Sequence, residues 1–264
     1  MQIADLENIK LHYTDQGEAS GKAVVFAGSL GTDFRMWDAL MPLLPQNLRL
    51  IRFDMRGHGL SSAPNGDYFM GDLVQDAAGL LDRVGARDCV FVGLSIGGMI
   101  AQGLAAERPD LLRGLVLSNT AAKIGTAQMW QDRMAAIRKD GIAATAEPII
   151  ERWFSAQFRA EHPMEVFGWR TMLERTPLCG YLGCCAAIAQ TDLYESTARL
   201  TLPTLAVAGG VDGATPPDLV RETSDLIAGA RFALIRGAGH LPCIEAADEY
   251  AATLTAFLQE IGHV

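Results

Sequence analysis

The chain has 264 residues, 49% of them hydrophobic, and a formal net charge of −9. This length favours a single α/β domain with an insertion, and the composition supplies enough apolar side chains for a sizeable core. The acidic balance argues against nucleic acid as a partner. No apolar run approaches the roughly 20 residues that a membrane span needs, and the first residues lack the basic and apolar segments of a signal peptide.

The cysteines are odd in number and do not have the spacing of a metal site. One of them falls on a predicted core strand. The five are Cys89, Cys179, Cys184, Cys185 and Cys243. The simplest interpretation is a set of reduced thiols in a cytoplasmic protein.

Short apolar runs alternate with helical patterns through the first 120 residues. Strands are predicted over residues 11–14, 23–26, 48–53, 89–92 and 112–117, and helices over residues 34–44, 72–84 and 98–106. The alternation resumes after residue 200, with strands over 203–209 and 231–235 and helices over 217–227 and 246–261. This order predicts an α/β fold with a mostly parallel sheet covered by helices on both faces.

Residues 121–200 have helical stretches but no convincing strand. We therefore expect a core domain made of residues 1–120 and 201–264, and an inserted helical lid over 121–200. The lid contains nine Lys/Arg and nine Asp/Glu residues, so the net charge of −9 belongs to the core. An anionic ligand would meet its least repulsive surface near the lid, although any single lid arginine more often only solvates a helix face.

Residues 93–97 read Gly-Leu-Ser-Ile-Gly, which fits the pattern Gly-x-Ser-x-Gly. A serine on so tight a turn between a strand and a helix needs small neighbours. Its hydroxyl then projects from the top of the sheet at a helix N-terminus. The pattern alone also occurs by chance, but the predicted strand before it and helix after it favour Ser95 as a nucleophile.

A serine hydroxyl needs a base to remove its proton, and histidine has a suitable pKa. His58 and His240 both lie in tight loops after predicted strands. Hydrolases with such a turn have the chain order serine, acid, histidine. Only His240 satisfies it, so we interpret His58 as a structural loop residue. Asp212 is the predicted acid because it follows the strand over 203–209, whereas Asn119, which follows the strand before it, is not an acid.

A reaction at an acyl carbon also needs two donors for the developing oxyanion. The N–H of Ile96, directly after the predicted nucleophile, is one candidate. The N–H of Leu30, in the small-residue loop after the strand over 23–26, is the other. The alternative interpretation of that loop is an ordinary glycine-rich turn.

These motifs resemble the α/β-hydrolase family across the whole chain. Within it, the closer resemblance is to the 3-oxoadipate enol-lactonases. It is carried by Ser-Leu-Gly-Thr-Asp at 29–33, Leu-Ser-Asn-Thr-Ala-Ala-Lys-Ile-Gly at 117–125, Arg-Trp-Phe at 152–154 and Gly-Tyr at 180–181. The resemblance implies an α/β-hydrolase fold with a helical lid. It also implies hydrolysis of the enol-lactone to 3-oxoadipate in the breakdown of protocatechuate or catechol, without a metal or an organic cofactor.

The implied partner is a small anionic lactone, whose carboxylate calls for a cation or hydrogen-bond donors. Arg133 and Trp130 are the candidates for that contact, and Trp153 is the candidate for the apolar side of the pocket. Each could instead serve lid packing. A carboxylesterase or a cofactor-free perhydrolase with the same three catalytic residues is the alternative enzyme, and a ligand sensor on a hydrolase fold is the alternative of another class. The sequence leaves the oligomeric state open.

Overall fold

The computed structural model describes residues 1–264. Eight strands form one sheet: β1 (Gln2–Asp5), β2 (Lys10–Gly17), β3 (Ala23–Ala27), β4 (Arg49–Phe53), β5 (Cys89–Leu94), β6 (Leu112–Ser118), β7 (Thr204–Gly209) and β8 (Arg231–Ile235). Their order is β1-β2-β4-β3-β5-β6-β7-β8, with β2 antiparallel to both neighbours and the other pairs parallel. The predicted, mostly parallel α/β sheet is confirmed.

Eleven α-helices accompany the sheet: α1 (Met70–Val84), α2 (Ile96–Glu107), α3 (Ala127–Ala144), α4 (Ala146–Trp153), α5 (Ala156–Glu161), α6 (Pro163–Glu174), α7 (Leu178–Ala189), α8 (Tyr194–Thr197), α9 (Pro217–Asp225), α10 (Pro242–Glu245) and α11 (Ala247–Glu260). α2 packs on β5 and β6, α9 packs on β7, and α11 packs on β8. Six of the helices, α3 to α8, follow one another between β6 and β7, and no strand lies among them.

The central strands are buried along their whole length, as parallel strands covered on both faces must be. Every residue of β3, β5 and β7 is buried. Because these strands run parallel, their carboxyl ends meet at one edge, and the loops that follow them are neighbours there. This edge is where the predicted site residues are expected to meet. None of the helices is both long enough and apolar enough to cross a membrane.

Two features differ from the sequence prediction. The helix predicted over 34–44 is replaced by two short 3-10 helices, Phe34–Trp37 and Met41–Leu43. Pro42 lies inside the predicted range, and its missing N–H and its ring prevent a continuous α-helix there. The edge strand β1 was not predicted, because only Ala4 of its four residues is buried and so no apolar pattern marks it.

Candidate active site

Ser95 lies on the sharp turn between β5 and α2. Its backbone has φ 59° and ψ −120°, a conformation that costs free energy for a residue other than glycine and persists only where the surroundings impose it. A Cβ atom on Gly93 would lie 2.1 Å from the carbonyl oxygen of Gly97, and one on Gly97 would lie 2.3 Å from that of Ala27. The two glycines of the pattern are therefore required by close backbone contact.

The predicted acid and base form a hydrogen-bonded pair at the carboxyl edge of the sheet. His240 Nδ1 donates to Asp212 Oδ2 at 2.8 Å, and both side chains are buried. Burial alone would raise the pKa of Asp212. The charge and hydrogen bond of His240 and the hydrogen bonds from Asn119 and Thr215 outweigh it, so the pKa lies below its ordinary value. An ionised Asp212 keeps the proton on Nδ1 and leaves His240 Nε2 as an acceptor.

Asn119 is a site residue that the sequence reasoning missed. It follows β6 with φ 45°, and its Nδ2 donates to Asp212 Oδ2 at 2.9 Å and to the carbonyl oxygen of Gly239 at 3.3 Å. It therefore holds the acid and the peptide that precedes His240. The sequence does contain a signal for this role. Asn119 directly follows a central parallel strand, and asparagine tolerates positive φ, so its side chain can reach the loop after the neighbouring strand.

Ser95 and His240 line the same cavity, but no direct hydrogen bond joins their side chains. His240 Nε2 instead lies 3.4 Å from Ser29 Oγ. Catalytic hydrogen bonds are often long without substrate and tighten in the complex. The arrangement thus brings the Ser95 hydroxyl and the His240 imidazole to one cavity, with the Asp212 carboxylate buried and hydrogen-bonded to the imidazole.

Neither of the two predicted oxyanion donors has an acceptor in the protein. Ile96 is the first residue of α2, so its N–H has no acceptor within the helix. Leu30 lines the cavity, and its N–H donates to no protein atom. Gly97 N–H donates to the Gly28 carbonyl oxygen at 3.2 Å, which ties the Leu30 loop to the turn that carries the serine.

His58, predicted to be a structural loop residue, supports this loop. Its Nε2 accepts from the N–H of Gly31 at 2.9 Å, and its Nδ1 donates to the carbonyl oxygen of Arg56 at 3.2 Å. Full burial lowers the pKa of His58 to about 4, so the ring is neutral at physiological pH and can act as both acceptor and donor. It orients the peptide next to Leu30 without facing the cavity that holds Ser95.

A cavity of about 410 Å³ joins the nucleophile region to the helices between β6 and β7. Trp130, Arg133 and Trp153 all line it, as does Arg152, which sequence reasoning did not single out as a contact residue. The remaining wall is largely apolar and includes Ile124, Met129, Ile149 and Ile188. Such a pocket, apolar with a few converging polar groups, suits a small organic ligand.

Neither arginine in this cavity forms an ion pair with a carboxylate. Arg133 Nη2 donates to the hydroxyl of Tyr181, and its guanidinium carbon lies 5.1 Å from the Trp130 ring centre. Arg152 has no hydrogen-bonded partner, and burial, followed by the charge of Arg133, lowers its pKa. Two unneutralised cations side by side make this end of the cavity a place for an anion.

A second cavity of about 460 Å³ contains another histidine–aspartate pair. His12 Nδ1 lies 2.8 Å from Asp54 Oδ2, and both residues line the cavity. No serine or cysteine lines it, and the hydroxyls of its threonines, Thr32, Thr171 and Thr176, donate to backbone carbonyl oxygens and not to His12. Asp54 also accepts from the N–H groups of Phe34 and Leu60, at 2.8 and 2.9 Å, which assigns it to holding two loops together.

The fold and this site define the class of protein. The model of the family described as alpha/beta hydrolase fold matches residues 22–247. The chain belongs to this family and is a hydrolase of it.

Within the family, the chain is similar to enol-lactonases. It is 35% identical over 209 residues to 3-oxoadipate enol-lactonase 2 of Acinetobacter baylyi, a match that covers 79% of this chain and 78% of that protein. The crystal structure of the enol-lactonase from Burkholderia xenovorans LB400 superposes with a TM-score of 0.95 and 35% identity, over 98% of this chain and 100% of that one. A thermophilic esterase from Thermogutta terrifontis with malate bound superposes with a TM-score of 0.90 and 28% identity, over 97% and 95% of the two chains.

Proposed function

We propose that the chain is a serine hydrolase that opens the ring of 3-oxoadipate enol-lactone to give 3-oxoadipate, in the breakdown of aromatic compounds such as protocatechuate and catechol. The observation that carries the proposal is the single cavity in which Ser95 and His240 face Arg133 and Arg152, neither of which has a carboxylate partner. The similarity to two enol-lactonases supports the choice of substrate. A cytoplasmic location belongs to the same proposal.

In the acylation step, Ser95 Oγ attacks the ring carbonyl carbon while His240 Nε2 takes the hydroxyl proton. The carbonyl oxygen becomes an oxyanion and accepts hydrogen bonds from the N–H groups of Leu30 and Ile96. The ring C–O bond then breaks, and His240 returns the proton to the departing enol oxygen. The enol remains attached to the acyl group, and its conversion to the ketone removes the oxygen nucleophile that could close the ring again.

In the deacylation step, His240 Nε2 takes a proton from a water molecule whose oxygen attacks the acyl carbon. The second oxyanion collapses, Ser95 Oγ recovers the proton, and the carboxylic acid leaves. Asp212 stays ionised and stabilises the imidazolium that forms in each step. Water is the only co-reactant, so the proposal includes no metal or organic cofactor.

The substrate's free carboxylate would bind between Arg133 and Arg152. The Trp130 ring packs against the Arg133 guanidinium, and Trp153 would supply the apolar wall beside the lactone ring. Hydrogen bonds to charged groups contribute about 1.5–3 kcal/mol each, or about 10- to 100-fold in binding or rate. A neutral ester would gain nothing from either arginine.

The test compares kcat/KM for the enol-lactone and for a neutral aryl ester in the parent protein, Arg133→Ala and Arg152→Ala. Each variant should lose about 10- to 100-fold on the lactone and much less on the ester. Arg138→Ala is the matched control, because Arg138 lies on the same helix as Arg133 but faces solvent near Asp67. Equal losses on both substrates would contradict the proposed carboxylate site.

The same measurements separate the alternatives. A carboxylesterase or cofactor-free perhydrolase would hydrolyse the aryl ester at least as fast as the lactone. A ligand sensor would show no multiple turnover on either substrate. Replacement of the nucleophile, Ser95→Ala, should abolish turnover of both, and retained activity would exclude the serine mechanism altogether.

A further inference from the structure

The carboxylate of Glu245, at the end of α10, lies between the helices that cover the cavity and the loop that carries His240. Oε1 accepts from the N–H of Gly239 at 2.7 Å, and Oε2 accepts from the N–H of Ser155 at 3.0 Å. Gly239 directly precedes His240 in the chain, and Ser155 lies between α4 and α5. The Glu245 side chain therefore joins the segment between α4 and α5 to the peptide next to His240, the proposed base.

A second contact connects the same two segments. The N–H of Leu241, on the other side of His240, donates to the carbonyl oxygen of Trp153 at 3.1 Å. A Cβ atom on Gly239 would lie 2.9 Å from both Glu245 Oε1 and the Trp153 carbonyl oxygen. The backbone on both sides of His240 thus contacts the segment that includes Trp153, at a separation that leaves no room for a side chain at Gly239.

Glu245 has no ion-pair partner, so hydrogen bonds from the side chain and N–H of Ser155 and from the N–H of Gly239 supply its main stabilisation. Burial raises the pKa of Glu245, and the hydrogen bonds from the side chain and N–H of Ser155 and from Gly239 act in the opposite direction. Glu161, His162 and Arg236 line the adjoining groove without forming an ion pair with it. A carboxylate that receives one backbone donor from each of two segments is suited to fixing their relative position.

We infer that Glu245 is a positioning residue that makes the placement of His240 depend on the segment 153–155. This rests on the proposed function only in taking His240 as the base. With both hydrogen bonds formed, the Trp153 wall and the imidazole keep one relative geometry. Without them, only the hydrogen bond from Leu241 to Trp153 joins the two segments, which lets the loop of His240 shift. A displacement of about 1 Å at a catalytic group costs about 100-fold in rate.

Two variants break the connection from opposite sides. Glu245→Gln turns one acceptor oxygen into an NH₂ group that faces an N–H donor. Ser155→Pro deletes the N–H itself, and proline fits because Ser155 has φ −58° and the preceding Phe154 has φ −125° and ψ 142°. Ser155→Ala keeps the N–H and reports what loss of the hydroxyl alone does, both as the α5 cap and as a partner of Glu245. Glu161→Gln is the control for charge in the groove.

The experiment measures kcat on a neutral aryl ester and the low-field ¹H NMR resonance of the His240 Nδ1 proton. Glu245→Gln and Ser155→Pro should each lower kcat about 10- to 100-fold and shift the resonance. The double variant should be no slower than the slower single one, because both remove the same connection. Glu161→Gln should show neither effect.

The inference is overturned if Glu245→Gln is folded and keeps the parent kcat and resonance, or if Ser155→Pro is folded and changes KM alone. If Ser155→Pro does not fold, Glu245→Gln decides by itself. Neither readout uses the enol-lactone, so a wrong substrate assignment leaves this test intact. Failure of the serine mechanism would instead appear as ester turnover in Ser95→Ala.

Discussion

Asn119→Asp tests how the site keeps Asp212 ionised. In the structure, Asn119 Nδ2 donates to Asp212 Oδ2 at 2.9 Å, and both side chains are buried. The substitution keeps the size of the side chain but replaces the donor by a second carboxylate oxygen. Two carboxylates would then share one buried site, and they cannot both be ionised without strong repulsion.

The size of that repulsion follows from the distance. Two unit charges about 3–4 Å apart at an effective dielectric constant of about 20 repel by about 4–6 kcal/mol. One proton therefore stays on the pair over a range of pH above that in which both carboxyls titrate in the unfolded chain, near pH 4. Because the folded variant holds more protons than the unfolded one, its free energy of unfolding falls as pH rises through this range.

The parent has the opposite dependence. Its Asp212 has a lowered pKa when folded, so the stabilisation is present above the unfolded pKa and is lost as pH falls through the folded one. Urea denaturation of both proteins from pH 4 to pH 8 measures the difference. Asn119→Ala removes the donor without a new charge, and its deficit of about 1.5–3 kcal/mol should change little between pH 5 and 8. A pH-independent difference between Asn119→Asp and the parent would refute the reasoning.

Three further predictions concern the turn and the oxyanion loop. Ser95→Ala should leave the circular dichroism spectrum unchanged and abolish ester turnover, because only the hydroxyl is removed. Gly97→Ala would place its Cβ 2.3 Å from the Ala27 carbonyl oxygen, so the melting temperature and kcat should both fall. His58→Ala leaves the buried N–H of Gly31 without an acceptor, and urea denaturation should show a loss of about 1–3 kcal/mol with a lower kcat.

Local patterns predicted the parts of the site that one segment builds alone. The turn at Ser95 is recognisable from five consecutive residues. The close contact that requires glycine at 93 lies within that turn, whereas the one at 97 is made to Ala27 at the end of β3. The positions of Asp212 and His240 also follow from local order, since each lies in the loop that follows a parallel strand. The carboxyl ends of such strands meet at one edge, so sequence order is enough to bring these residues together.

The residues that sequence reasoning missed act across long separations. Asn119 is 93 positions from Asp212, and Ser155 is 90 positions from Glu245. Arg152 reaches the cavity only because α4 is folded over the carboxyl edge. Periodicity in the sequence does not predict such long-range contacts, since they depend on how the helices between β6 and β7 pack against the rest of the protein. The helix predicted over 34–44 is interrupted for a local reason instead, since Pro42 lacks an N–H and its ring prevents a continuous α-helix.

Two features of this site cost folding free energy, and both lie at the ends of well-buried strands. Ser95 has a positive φ, which costs about 1–3 kcal/mol, and Asp212 is a buried charge. Four protein groups offset the second cost by donating to Asp212 alongside His240; they are the N–H groups of Ala214 and Thr215, the Thr215 hydroxyl and the Asn119 amide. These donors come from loops after β6 and β7, and the strained turn follows β5. Neighbouring, fully paired strands fix the positions at which these three segments begin. Any change that loosens β5, β6 or β7 should therefore reduce activity before it unfolds the protein.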